Sequence, residues 1–256
     1  MSTPYLPAEL LDHIIDHLHD TRDALRSCCL VSKSWIPRTR KHLFADLSFY
    51  AEENLESWKK TFPNPSTSPS RYTETLRIDC PHVVTVADAE PGGWIRDFIH
   101  VAHLILSNYD GRRDSLLPFH GFSPVLKSIH VELDFPPLTL DLVLSFPLLE
   151  DLSVTFYAMG IDNDDGSDGS STIIQPSNPP MLTGSLNLAI TGLKPFIRQI
   201  LSQPSGINFR KFTATWTHEG DILPTAALVE KCSHSLESLN IVCHTHGASI
   251  RHLRPY

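Results

Sequence analysis

"LEDLSV" (Leu149 to Val154) sets three apolar residues in the frame apolar-x-x-apolar-x-apolar, and six other segments share that frame. They are "TETLRI", "VAHLIL", "LKSIHV", "TGSLNL", "FRKFTA" and "LESLNI", with Thr in the first apolar place of two of them. Their central apolar residues are Leu76, Leu104, Ile129, Leu152, Leu186, Phe212 and Leu239, at separations of 28, 25, 23, 34, 26 and 27 residues. The widest gap holds "DNDDGSDGSS" (Asp162 to Ser171), which reads as a surface insertion; without its ten residues the gap is 24. A period of about 25 residues marks a chain that stacks one supersecondary unit upon the next.

Four intervals carry helix-like stretches before the next frame: "GWIRDFIHVA", "LTLDLVLSF", "GLKPFIRQILSQ" and "PTAALVEKC". One strand and one helix per unit predict a right-handed curved stack with its strands on the concave side. The frame and its period resemble irregular leucine-rich repeats. The consensus Asn or Cys three residues beyond the last apolar position is missing, however. Ile78, Val131, Val154 and Ile241 are followed there by Pro81, Asp134, Tyr157 and His244. The usual asparagine ladder is therefore not expected, and no closing polar repeat is visible before "HLRPY" (His252 to Tyr256).

Alternation with period 2 assigns the strand faces. Ile129, Val131 and Leu133, then Leu152, Val154 and Phe156, then Leu239, Ile241 and Cys243 are predicted to point into the core. Their neighbours are predicted to line the concave side: Arg77, Asp79, His103, His130, Glu132, Asp151, Thr155, Lys211, Thr213, Thr215, Asn240 and His244. This mixed polar row is the expected binding surface for a client protein.

A different unit precedes the repeats. In "LPAELLDHIIDHL" (Leu6 to Leu18), Leu10, Leu11, Ile14, Ile15 and Leu18 form one stripe at helical spacing, with Asp12, His13, Asp16 and His17 on the opposite, wet face. Pro7 suits a first helical turn, and Glu9 complements the helix dipole. Asp20 or Thr21 can cap a second helix carrying Ala24, Leu25, Cys28 and Cys29, and Ser32 or Ser34 a third around Trp35. Three short helices cannot bury this much apolar surface among themselves. Each aliphatic side chain left in water forgoes about 1.5–3 kcal/mol, so a further surface is expected to cover them.

The order Leu-Pro, helix stripe, "LVSKSW" (Leu30 to Trp35) and Leu43-Phe44 resembles an F-box over residues 6 to 44. That resemblance implies docking on the Skp-type adaptor of a cullin–RING ubiquitin ligase. Its contacts, carried over by position, are Leu6, Pro7, Leu10, Ile14, Leu18, Leu30, Val31 and Trp35, of which Leu18 and Trp35 can instead hold the helices together. Ser32 departs from the Cys that many family members carry.

The organisation expected is an F-box domain over 4–48, a helix and Pro/Ser-rich linker over 49–72, and an irregular leucine-rich-repeat-like domain over 73–256 with an acidic Gly/Ser insertion at 161–180. The fold class is α+β or α/β: a three-helix unit followed by a β-α solenoid. The chain carries 21 basic against 29 acidic residues, a net charge of −8. That disfavours nucleic acid or an anionic membrane as partner. Five cysteines at 28, 29, 80, 232 and 243 lack C-x-x-C spacing, and neither a signal peptide nor a spanning segment is visible. These point to a protein of the cytoplasm, the nucleus or both. "HIIDH" (His13 to His17) has Asp where the zinc motif H-x-x-E-H needs Glu. The acidic insertion lacks the Gly and bidentate Glu of a calcium loop, and no phosphate-loop, nucleophile-elbow or dinucleotide motif occurs. No metal, cofactor or catalytic residue is assigned. The function expected is that of a substrate receptor in such a ligase, with a non-ligase interaction scaffold as the alternative.

Overall fold

The computed structural model describes residues 7–64, 67–109, 118–119, 121–122, 124–133, 146–156, 182–189, 194–203, 206–216 and 219–243. Leu6, His244, the insertion at 161–180 and nearly all of "LTLDLVLSF" lie outside them. The described chain is mixed α/β. Seven α-helices accompany a single eight-stranded sheet in which every pairing is parallel.

The chain opens with α1 (Ala8–His17), α2 (Arg22–Val31), a 3-10 turn (Lys33–Trp35) and α3 (Ile36–Leu43). Pro7 stands at the N-cap of α1, where its carbonyl accepts from the Leu10 and Leu11 amides. Ser32 caps the 3-10 turn, its Oγ accepting from the Ser34 amide at 3.3 Å. Ile15, Leu25 and Cys28 are buried here, separate from the large cluster that the sheet builds.

The expected single stripe on α1 is divided in the structure. Ile15 is fully buried and Leu11 and Leu18 are half-buried, while Leu10 and Ile14 face solvent. Asp16 is not on a wet face either. Arg38 Nε donates to its Oδ1 at 2.6 Å, Arg38 Nη2 to Oδ2, and His42 Nε2 lies 2.7 Å from Oδ1. Amphipathic spacing assigns polar residues to water, but a carboxylate that meets a guanidinium and an imidazole on α3 turns toward that helix.

The sheet begins earlier than its seven sequence frames. The strand β1 (Asp46–Phe49) falls where the sequence suggested the end of the helical unit and the start of the linker. "FADLSF" (Phe44 to Phe49) obeys the apolar-x-x-apolar-x-apolar frame, but Leu43 and Phe44 also close the F-box pattern, which conceals the strand. After it come α4 (Glu52–Thr61), β2 (Thr75–Ile78), the short α5 (Val86–Ala89) and β3 (His103–Tyr109). Then follow β4 (Ser128–Leu133), β5 (Asp151–Phe156), β6 (Ser185–Ala189), α6 (Lys194–Leu201), β7 (Lys211–Trp216), α7 (Ile222–Cys232) and β8 (Ser238–Cys243).

Strand order equals sequence order, β1 to β8. Leu47, Leu76, Leu104, Ile129, Leu152, Leu186, Phe212 and Leu239 stand opposite one another along the whole sheet. The frame's central residue is thus one lateral row, and the residue two further on forms a second row from Phe49 to Ile241. A sheet that steps always in one direction, with crossovers of one hand, sets every crossover on one face. The crossovers accordingly meet both rows in one cluster: Leu55 from α4, Phe98, Phe122, Phe146, Phe209, and Leu228 from α7. Among the described residues the opposite face is half-buried to exposed along most of its length, which is why these parallel strands alternate rather than running continuously apolar.

Trp58 on α4 joins the two parts of the molecule. Its ring lies 6.1 Å from Phe44 at the end of α3, 5.7 Å from Phe49 on β1 and 6.0 Å from Phe98. Aromatic pairs of this kind add about 0.5–1.5 kcal/mol each beyond the area they bury.

The core rows fail at one end. Leu239 and Ile241 remain 42 % and 39 % exposed, against 1 % for Leu152 and 0 % for Val154. The strand β8 is the edge of the described sheet, and no described crossover follows it to cover that face. The side chains of Phe156 and Cys243 lie outside the described set. Among the described residues no helix is long and apolar enough to cross a membrane.

Candidate functional site

Two surfaces carry the residues singled out from the sequence. The first is on the helical unit. Leu10 and Ile14 on α1 are 50 % and 47 % exposed, and Leu30 and Val31 at the end of α2 are 89 % and 65 % exposed. Pro7 is exposed too, whereas Leu18 and Trp35 are half-buried. The helices thus spend Ile15, Leu25 and Cys28 on their own packing and leave aliphatic side chains uncovered on both α1 and α2. Beside α1, Arg38 first and His42 second hold the Asp16 carboxyl well below the usual carboxylate range. They fix α3 against α1 and remove Asp16 from any metal-binding role alongside His13 and His17. Among the described residues no cluster of three or more His, Cys, Asp or Glu could hold a metal ion.

The second surface is the open face of the sheet. Register places Arg77, Ile105, His130, Ser153, Asn187, Thr213 and Asn240 in one row, with Ser48 at its start. Arg77 Nε donates to Asp79 at 2.8 Å and Nη2 to Ser107 Oγ at 3.1 Å. The Asp79 bond holds the Arg77 guanidinium charged still more firmly than usual. Lys211, Asn240 and His103 are exposed, and Thr155, Thr213 and Thr215 are half-buried.

At mid-sheet the side chains form a chain of hydrogen bonds. His130 Nδ1 lies 2.6 Å from Ser153 Oγ, and His130 Nε2 lies 3.2 Å from Glu132 Oε1. Asn187 Nδ2 donates to Ser153 Oγ at 3.2 Å. Asp151 turns away from this group: its Oδ1 accepts from the Ser185 amide at 2.6 Å and hydroxyl at 2.5 Å. Gly184 allows that approach, because a Cβ there would stand 2.5 Å from Asp151 Oδ1 and 2.6 Å from the Glu150 carbonyl oxygen.

Ser153, Asn187 and Ser107 were not among the residues expected on this face. The signal for them was present, since each obeys the alternation that selected His130 and Arg77. Ser153 follows Leu152 as Arg77 follows Leu76. What the sequence did not carry was the lateral pairing that brings residues 130, 153 and 187 together. No family model, no curated protein and no solved structure matches the chain.

Proposed function

We propose that the chain is a substrate-receptor subunit of an SCF-type cullin–RING ubiquitin ligase. The F-box-like helices would dock on a Skp-type adaptor, and an irregular leucine-rich-repeat solenoid would hold a client protein on its open sheet face. The observation that carries this reading is the exposure of Leu10, Ile14, Leu30 and Val31, four of the positions to which the F-box pattern assigns adaptor contact. Sequential, all-parallel strand order with one frame per strand supports the solenoid. The mechanism is positional. A client bound beside the ubiquitin-loaded enzyme reacts at raised effective concentration, and the receptor itself supplies no catalytic group to ubiquitin transfer. Such a receptor works in the cytoplasm or nucleus.

Co-expression with the adaptor and a cullin tests it. A stable ternary complex is the expected result, and a chain that elutes alone at micromolar concentration overturns the reading. A complex with adaptor that excludes the cullin identifies a non-ligase scaffold instead.

A further inference from the structure

The hydrogen-bond chain at mid-sheet has an order that a recognition surface does not require. Glu132 as a carboxylate only accepts, so the proton between it and His130 sits on Nε2. In the neutral ring Nδ1 is then the acceptor, and the bond at 2.6 Å runs from the Ser153 hydroxyl to His130. Asn187 fills an acceptor position on the same oxygen. A hydroxyl, a base within hydrogen-bond reach and a carboxylate orienting that base are three roles that together define an activated nucleophile, whatever fold presents them.

The three strands hold these roles rigidly. His130 and Ser153 are register partners on β4 and β5, and Glu132 lies two residues along β4 on the same face. Asn187 is the register partner of Ser153 on β6. His130 and Glu132 are 29 % and 20 % exposed, so the base is partly desolvated while still open to a reactant. Ile105, half-buried and opposite His130 on β3, offers an apolar contact for a small acyl group.

We propose that Ser153, His130 and Glu132 form an acyl-transfer site for small, activated esters or thioesters, with the Asn187 amide as oxyanion donor. Ser153 Oγ attacks the acyl carbon while its proton passes to His130 Nδ1. The imidazolium is held by Glu132, and the negative charge on the former carbonyl oxygen is met by Asn187 Nδ2. Collapse breaks the bond to the leaving oxygen or sulfur, which takes the proton from His130 and departs as an alcohol or thiol. Water then attacks the acyl-serine, again through His130, and releases a carboxylic acid. This activity is independent of adaptor docking and goes beyond the receptor role.

A fluorophosphonate probe on the full-length chain, read by intact mass and peptide mapping, tests the proposal. A single adduct on Ser153 is expected. Ser153→Ala abolishes it, His130→Gln slows it roughly 10²–10⁴-fold, and Asn187→Ala slows it roughly 10²–10³-fold. Glu132→Gln, which keeps shape and leaves the sheet intact, slows it with an unchanged melting temperature. No adduct on Ser153, or equal labelling of wild type and His130→Gln, overturns the assignment. Adaptor binding measured on the same variants stays unchanged, so failure here and failure of the receptor reading are separately visible.

Discussion

Leu30→Ala tests whether an exposed side chain of the helical unit serves the unit's own folding or the adaptor contact proposed for it. In the chain alone Leu30 is 89 % exposed, so folding removes only about a tenth of it from water. Full burial of a leucine is worth about 1.5–3 kcal/mol, so truncation costs the isolated chain only about 0.3 kcal/mol. If an adaptor covers this side chain, the loss falls on binding instead. A central aliphatic anchor there costs about 2 kcal/mol or more, roughly thirtyfold in dissociation constant. Ile15→Ala is the opposite case. Ile15 is fully buried among the helices, and its truncation costs about 2–5 kcal/mol of folding free energy. Guanidinium melts of the isolated chain and calorimetric titration with a Skp-type adaptor read the two effects separately. The reasoning fails if Leu30→Ala lowers stability by more than about 1 kcal/mol, beyond the ordinary range for a surface change. It fails equally if adaptor affinity changes less than about twofold.

The sheet was legible in the sequence because each strand announces itself locally. Seven frames predicted seven strands, and their central residues became one lateral row. The strand β1 was missed for a physical reason: Phe44 serves two patterns, ending α3 against Trp58 while opening the frame of "FADLSF". A residue that packs between two units belongs to both, and a linear pattern gives it to the one read first. The pairing of Asp16 with α3 was illegible for another reason. Its partners Arg38 and His42 lie 22 and 26 residues away, and helical periodicity holds no information about what a neighbouring helix presents. The mid-sheet bonds of Ser153 are non-local in the same way. Alternation gives each residue's face, but only the register, set by crossovers of unequal length, decides that His130 meets Ser153 and not its neighbour.

Three further outcomes follow from particular contacts. Gly184→Ala forces a Cβ against Asp151 Oδ1 and the Glu150 carbonyl, so it should lower stability by about 1–3 kcal/mol, read as a drop in melting temperature. Asp16 has a depressed folded pKa, so its contribution is full above the unfolded value of about 3.9 and disappears as pH falls through the folded one. The stability gap between wild type and Asp16→Asn should therefore be present near neutrality and close in acid; a gap that widens in acid refutes the ion-pair account. The last outcome concerns one row and one kind of side chain. Leu152 and Leu239 hold the same place in the repeat, yet Leu152 is buried in the cluster that holds Phe146, Leu149 and Leu182, while Leu239, on the edge strand of the described sheet, is half-exposed. Leu152→Ala should cost about 2–5 kcal/mol in denaturant unfolding. With 42 % of its surface in water, Leu239 has correspondingly less to lose, and Leu239→Ala should cost about half as much or less. Equal losses at the two positions would mean that Leu239 is covered in solution as Leu152 is.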